Sequence, residues 1–169
     1  FSSAFGSRQR SAPAVSGYAL AALPRSFDSE LYLMDLEGMA LPGWPVPLPG
    51  IASAAPAFAG ADTAADGRAL ALTEAGQLLA YAIDAAASPG FPVPLEGSFD
   101  AAPVWAPGWR SVYALSVEGT LYRVGLDGST LGSVRVGRQS ARGAAVTAYD
   151  ADGDGREELY VSGGGAAGR

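Results

Sequence analysis

No cysteine, histidine or lysine occurs in the 169 residues. Without cysteine there are no disulfides, thiolate metal sites or cysteine nucleophiles, although the absence alone says little about compartment. Without histidine the commonest general base, the Ser-His-Asp triad and the usual zinc or copper ligands are gone. Hard oxygen donors are the only first-class metal ligands left. The positive charge is all arginine, and 11 basic against 17 acidic residues leave a net charge of −6. That balance offers no attractive field to nucleic acid phosphates or to an anionic membrane surface, so neither is an expected partner.

Charge is also missing locally. From Gly38 to Ala61 no residue is charged, a length that could span a bilayer. Pro42, Pro45, Pro47, Pro49 and Pro56 would each break or kink a helix there, so the stretch reads as strand, loop, strand with no membrane span. The chain starts at Phe1 with no methionine and no signal-peptide pattern, which reads as a mature product, a proteolytic piece or part of a longer chain. At 49% hydrophobic and 17% charged the composition is that of a folded domain with a core.

What is present is a repeat. "APAVSG" at Ala12, "APAFAG" at Ala55 and "APVWAP" at Ala102 place Pro13, Pro56 and Pro103 at intervals of 43 and 47 residues. Downstream, "ELYLMDLEG", "QLLAYAIDA" and "TLYRVGLDG" place Leu31, Leu78 and Leu121 at intervals of 47 and 43. Two units continue with "LPGWPVPLPG" and "SPGFPVPLEG". Within each unit, short runs alternating at period two are separated by glycine, proline or aspartate turns, as antiparallel strands require. The second unit divides into "APAFAG", "RALALT", "QLLAYAID" and "FPVPL". Four strands every forty-odd residues is the spacing of a β-propeller blade. The alanine-rich "TAADGRALALTEAGQLLAYAIDAAA" could pass for a helix, but Gly67 and Gly76 interrupt it and the repeat register assigns it to strands.

The expected fold is therefore all-β: a β-propeller of four-stranded antiparallel blades, with units over 11–50, 53–97, 100–137 and 140–169. The last unit stops after two strands. About three and a half blades fall short of the four a ring needs, which predicts a larger ring completed by further blades or neighbouring subunits. Residues 1–10 are expected to supply a strand to a preceding or closing blade.

The fourth unit contains "YDADGDGREELYV". Calcium takes six to eight oxygen ligands, and a loop with carboxylates at alternate positions and a sharp glycine turn can wrap it. With Asp150 as position one, the side chains of Asp150, Asp152 and Asp154, the backbone carbonyl of Arg156 and Glu158 at position nine are the candidate ligands, and Gly155 makes the turn. An EF-hand needs a bidentate glutamate at position twelve between helices, and Val161 stands there instead. A solvated Asp-Gly turn without metal is the plainer alternative. In the second unit Asp62, Asp66 and Gly67 match positions one, five and six, but Ala64 and Leu70 replace two carboxylates.

"DADGDGREEL" resembles the loop of the FG-GAP or VCBS-type calcium-loop propeller repeats found in integrin α-subunit heads, and the "LYxxDLxG" and "PGWPVPL" phrases are similar to blades of that family. The resemblance implies a structural calcium, a secreted, periplasmic or cell-surface location, and a non-catalytic adhesion, scaffold or interaction role with a protein or glycan partner. The "LYxxDLxG" blade is also similar to quinoprotein-type propellers, so the enzymatic alternative is the propeller part of a secreted quinoprotein or polysaccharide lyase. A third alternative is a structural subunit of a surface assembly.

No catalytic or organic-cofactor residues can be picked out. Glu157 and Glu158 are adjacent, so their side chains diverge on a strand and cannot flank one bond; one is expected as a ligand and the other solvated. Trp105 and Trp109, with Arg110 beside them, are either an aromatic binding surface or packing between blades. Trp44, Phe91, Tyr32, Tyr81, Tyr113, Tyr122 and Tyr160 are expected in blade packing.

Overall fold

A computed structural model of the chain describes residues 10–11, 18–24, 28–60, 67–136 and 142–163. The "APAVSG" anchor with Pro13, residues 1–9, the second-unit loop with Asp62 and Asp66, and the terminal 164–169 lie outside the described residues.

Fourteen strands form among the described residues, in four antiparallel sheets whose order follows the sequence. The first sheet holds β1 (Arg10–Ser11), β2 (Tyr18–Pro24), β3 (Ser29–Asp35) and β4 (Val46–Leu48). The second holds β5 (Ala57–Ala59), β6 (Arg68–Leu72), β7 (Gln77–Ala82) and β8 (Val93–Pro94). The third holds β9 (Val104–Ala106), β10 (Ser111–Leu115), β11 (Thr120–Gly125) and β12 (Thr130–Arg135). The fourth has β13 (Ala145–Tyr149) and β14 (Glu158–Ser162). The alanine-rich stretch forms β6 and β7, not a helix. Arg10 pairs with Ala22 inside the first sheet, so it belongs to that sheet and not to a strand of another blade.

Period-two alternation becomes a two-faced sheet because successive side chains point to opposite sides. In β6, Ala69 and Ala71 face the first sheet, and Leu70 and Leu72 face the third. Three cores result, each between consecutive sheets. Leu31, Leu33, Trp44, Val46 and Leu48 meet Ala52, Ala69, Ala71 and Leu79. Leu70, Leu72, Leu78, Ala80, Val93 and Leu95 meet Phe99, Val112, Ala114 and Val124. Tyr113, Leu115 and Leu121 meet Ala144 and Val146. Each fully buried leucine contributes roughly 1.5–3 kcal/mol, so the sheets are held chiefly face to face. The first strands lie side by side, β5 against β9 and β9 against β13.

The phrase shared by the first two units has a packing reason. Gly43 and Gly90 both carry positive φ, and a methyl group at either would press on the Asp84–Ala85 or Asp127–Gly128 turn of the next sheet. Trp44 and Phe91 follow these glycines, and each precedes a cis proline. Trp44 is buried, meets Tyr81 edge-on at 6.1 Å and donates its indole N–H to Ile83 O at 2.8 Å.

One buried hydroxyl has no hydrogen-bond partner among the described residues, that of Ser88. Its backbone N–H bonds to Ala80 O at 2.9 Å, so the connection it lies in is tied to β7 without the side chain. Ser88→Ala should leave the melting temperature unchanged or raise stability by up to about 1 kcal/mol, because an unsatisfied buried polar atom carries a desolvation cost. A loss above that in urea unfolding would mean that the hydroxyl does find a partner.

Candidate functional site

The fourth sheet positions the aspartate loop. Tyr149 and Glu158 are paired across β13 and β14, which closes residues 150–157 at the base and brings Asp150 beside Glu158. Gly153 and Gly155 take φ of 78° and 86°, a left-handed backbone that glycine adopts without a Cβ penalty. A Cβ added at either would meet nothing within 4 Å, so conformation and not crowding calls for glycine.

The loop's backbone N–H groups hold its carboxylates. Asp150 accepts from Gly153 at 2.8 Å on one oxygen and from Gly155 at 2.9 Å on the other. Glu158 accepts from Ala151 at 2.8 Å, and Asp152 accepts from Asp154 at 3.1 Å. Oxygens of Asp150, Asp152 and Glu158 come within 4.8 Å of one another. Oxygens on opposite sides of a calcium ion at its usual bond length are about 4.6–5.2 Å apart, and around magnesium about 4.0–4.2 Å. The three carboxylates therefore fit a hard divalent cation such as calcium in donor type and lie close enough to share one ion. Asp154 is not in this group; its carboxylate accepts the Arg156 N–H at 2.8 Å.

On its other side the loop meets the third sheet at the turn between β9 and β10. Gly108 N–H reaches both carboxylate oxygens of Glu157, at 3.1 and 3.0 Å, and the Trp109 indole N–H donates to Glu157 O at 2.8 Å. The Arg123 and Arg156 guanidinium carbons lie over the Trp109 ring at 5.1 and 5.2 Å from its centroid, within cation–π range. Arg123 is anchored in turn by Ser111 Oγ at 3.0 Å and Trp109 O at 3.3 Å. Burial pushes the Tyr113 phenol up from its ordinary value; Arg123 opposes this and the Glu157 charge adds to it.

The expected site residues thus separate. Glu157 and Glu158 diverge, but Glu157 is bound to the third sheet and is not left to solvent. Trp105 packs into the core between the second and third sheets, whereas Trp109 is engaged by Glu157 and two arginines. Arg110 is exposed in the same turn with φ of 47°. Tyr81 and Tyr122 pack against the sheet cores, while Tyr160, expected in packing, is 50% exposed on the far face of the fourth sheet. The roles of Glu157, Trp109 and Arg123 together were not readable, because the Gly108–Glu157 bond spans 49 positions with no motif to mark it.

A cleft of about 470 Å³ lies at the opposite ends of the sheets, lined by Glu74, Ser98, Phe99, Asp100, Val117 and Arg142 among others. Its polar groups serve the links between sheets. Asp100 accepts Gly143 N–H at 3.0 Å, and Ser98 N–H donates to Glu118 at 3.2 Å. A bond from its own backbone N–H, and with it the one from the Ser98 N–H, holds the Glu118 carboxyl below its ordinary value against the opposing effect of desolvation.

No protein-family model matches the chain, and no curated protein does. Among solved structures, BamB from Moraxella catarrhalis is similar over 72% of this chain and 34% of its own, at 20% identity and a TM-score of 0.55. The computationally designed Ika8 protein is similar over 89% of this chain and 44% of its own, at 15% identity and a TM-score of 0.56. The chain spans less than half the length of either. At these identities the likeness concerns fold alone, and with the four-sheet stack it makes the architecture that of β-propeller blades.

Proposed function

We propose that the chain is a scaffold and interaction module of the propeller type, exported from the cell, with a structural calcium in the Asp150–Glu158 loop. The single observation behind the metal is the convergence of the Asp150, Asp152 and Glu158 oxygens, all within 4.8 Å of one another. When bound, the ion would neutralise carboxylates that otherwise repel one another; these three residues would hold it, with the Arg156 backbone carbonyl as a further donor by its position in the loop. The loop is exposed, with few protein ligands, and such sites bind calcium weakly, in the range suited to extracellular concentrations. That supports export.

The interaction role rests on an uncovered sheet face. Tyr160 follows Leu159 in the fourth sheet as Tyr113 follows Val112 in the third, yet Tyr113 is 8% exposed and Tyr160 50%. Tyr149 on the same face is 64% exposed. A face of this kind suits a further propeller sheet, in the same chain or a neighbouring subunit. A protein or glycan partner would then meet the loop-bearing ends.

The test is a melt in millimolar calcium and in chelator. Calcium at about tenfold excess over its Kd should stabilise by about 1.4 kcal/mol, and Asp152→Ala should remove most of that gain. Identical melting curves with and without chelator would sink the calcium reading.

A further inference from the structure

The residues that fasten the loop to the third sheet sit between those that would hold the ion. Arg156 and Glu157 lie in the chain between Asp152 and Glu158. Glu157 is gripped twice, by Gly108 N–H on its carboxylate and by the Trp109 indole on its carbonyl. Arg156 is also engaged twice, with its N–H on Asp154 and its guanidinium over the Trp109 ring. The approach is close enough that a Cβ at Gly108 would collide with Gly155 O and lie 3.0 Å from Arg156 Cα. One short backbone segment therefore has its position fixed from both sides.

The core under this contact is small. Among the described residues, the buried side chains between the third and fourth sheets are Ala106, Tyr113, Leu115, Leu121, Ala144 and Val146, against eleven in the core between the second and third. A two-stranded sheet with so little buried surface on this side opens at the low end of the free-energy scale. Polar and cation–π contacts at its rim then carry an unusual share of the docking.

We propose that Gly108, Trp109 and Arg123 on the third sheet and Arg156 and Glu157 on the loop form a latch that couples calcium in the loop to docking of the fourth sheet. The coupling deepens the calcium reading and rests on it. An ion held by Asp150, Asp152 and Glu158 orders the backbone through Arg156 and Glu157, and the closed latch orders the same atoms. Whichever forms first lowers the ordering cost of the other. Linkage makes the effect reciprocal: the latch must raise calcium affinity by the factor by which calcium tightens the latch. In low calcium the fourth sheet loosens first, exposing the side of Val146, Ala148 and Leu159 that packs on the third sheet.

The experiment uses the whole chain, calcium chloride as the probe, calorimetry for binding, and amide hydrogen exchange for docking. In the wild type, chelator should speed exchange over 145–162 by at least about fivefold and leave 68–82 unchanged. Glu157→Ala and Trp109→Ala, neither a calcium ligand, should each speed the same segment in calcium and weaken calcium binding by about fivefold or more. Calcium binding of unchanged affinity in both variants would overturn the coupling and leave the calcium site standing. No binding heat from the wild type would overturn both.

Discussion

Replacing Leu70 by alanine should destabilise the protein by about 3 kcal/mol, read as a fall in the urea midpoint at unchanged slope. Leu70 lies at the middle of β6, a strand with a sheet neighbour on each side and a packed sheet on each face, and it is fully buried toward the third sheet. Removing its branch leaves a cavity against neighbours that β-pairing holds in place, so little collapse can offset the loss. The control is Leu131→Ala in β12, where the leucine is 53% exposed and the change should stay within about 0.5 kcal/mol. Equal shifts for the two would mean that the core between the second and third sheets does not carry the fold.

The contrast between Leu70 and Leu131 also shows what the sequence made readable. Leu31, Leu78 and Leu121, picked out by their spacing alone, are 0%, 0% and 7% exposed. Period-two alternation tells which side chains share a face, and a repeat of such patterns means that each face meets a neighbour of the same kind. It does not tell how far a sheet extends beyond its neighbour. Leu131 and Val134 alternate poorly in a strand exposed throughout, and Tyr160 has the pattern of a core residue without a sheet to cover it. The aspartate loop was legible for a similar reason. Ligand spacing is a local property, and Asp150, Asp152 and Glu158 do converge. Asp154, which shares the alternate spacing, stands outside that group and accepts the Arg156 N–H. The contact of Trp109 with Glu157 joins two sheets, and no local pattern encodes it.

Gly90→Ala should be the more damaging of two glycine substitutions that look alike in sequence. Gly38 and Gly90 follow a strand turn and a proline respectively, with φ of 83° and 82°. An alanine at either pays the left-handed backbone cost of roughly 1–2 kcal/mol. At Gly38 nothing lies within 4 Å of the added methyl group, so that cost is the whole effect. At Gly90 the methyl group would collide with Asp127 O and reach Gly128 Cα at 3.2 Å. The turn it strikes cannot yield easily: Gly128 N–H bonds to Gly125 O at 3.1 Å, and Asp127 Oδ1 accepts both the N–H and the hydroxyl of Ser129 at 3.0 and 2.6 Å. Overpacking against a fixed backbone adds about 1–3 kcal/mol, so Gly90→Ala should cost about 3–4 kcal/mol in urea unfolding, roughly twice Gly38→Ala or more. Because Gly90 belongs to the second sheet and Asp127 to the third, the excess measures how tightly consecutive sheets are docked at their outer turns. Equal costs for the two substitutions would show that the second and third sheets do not approach there.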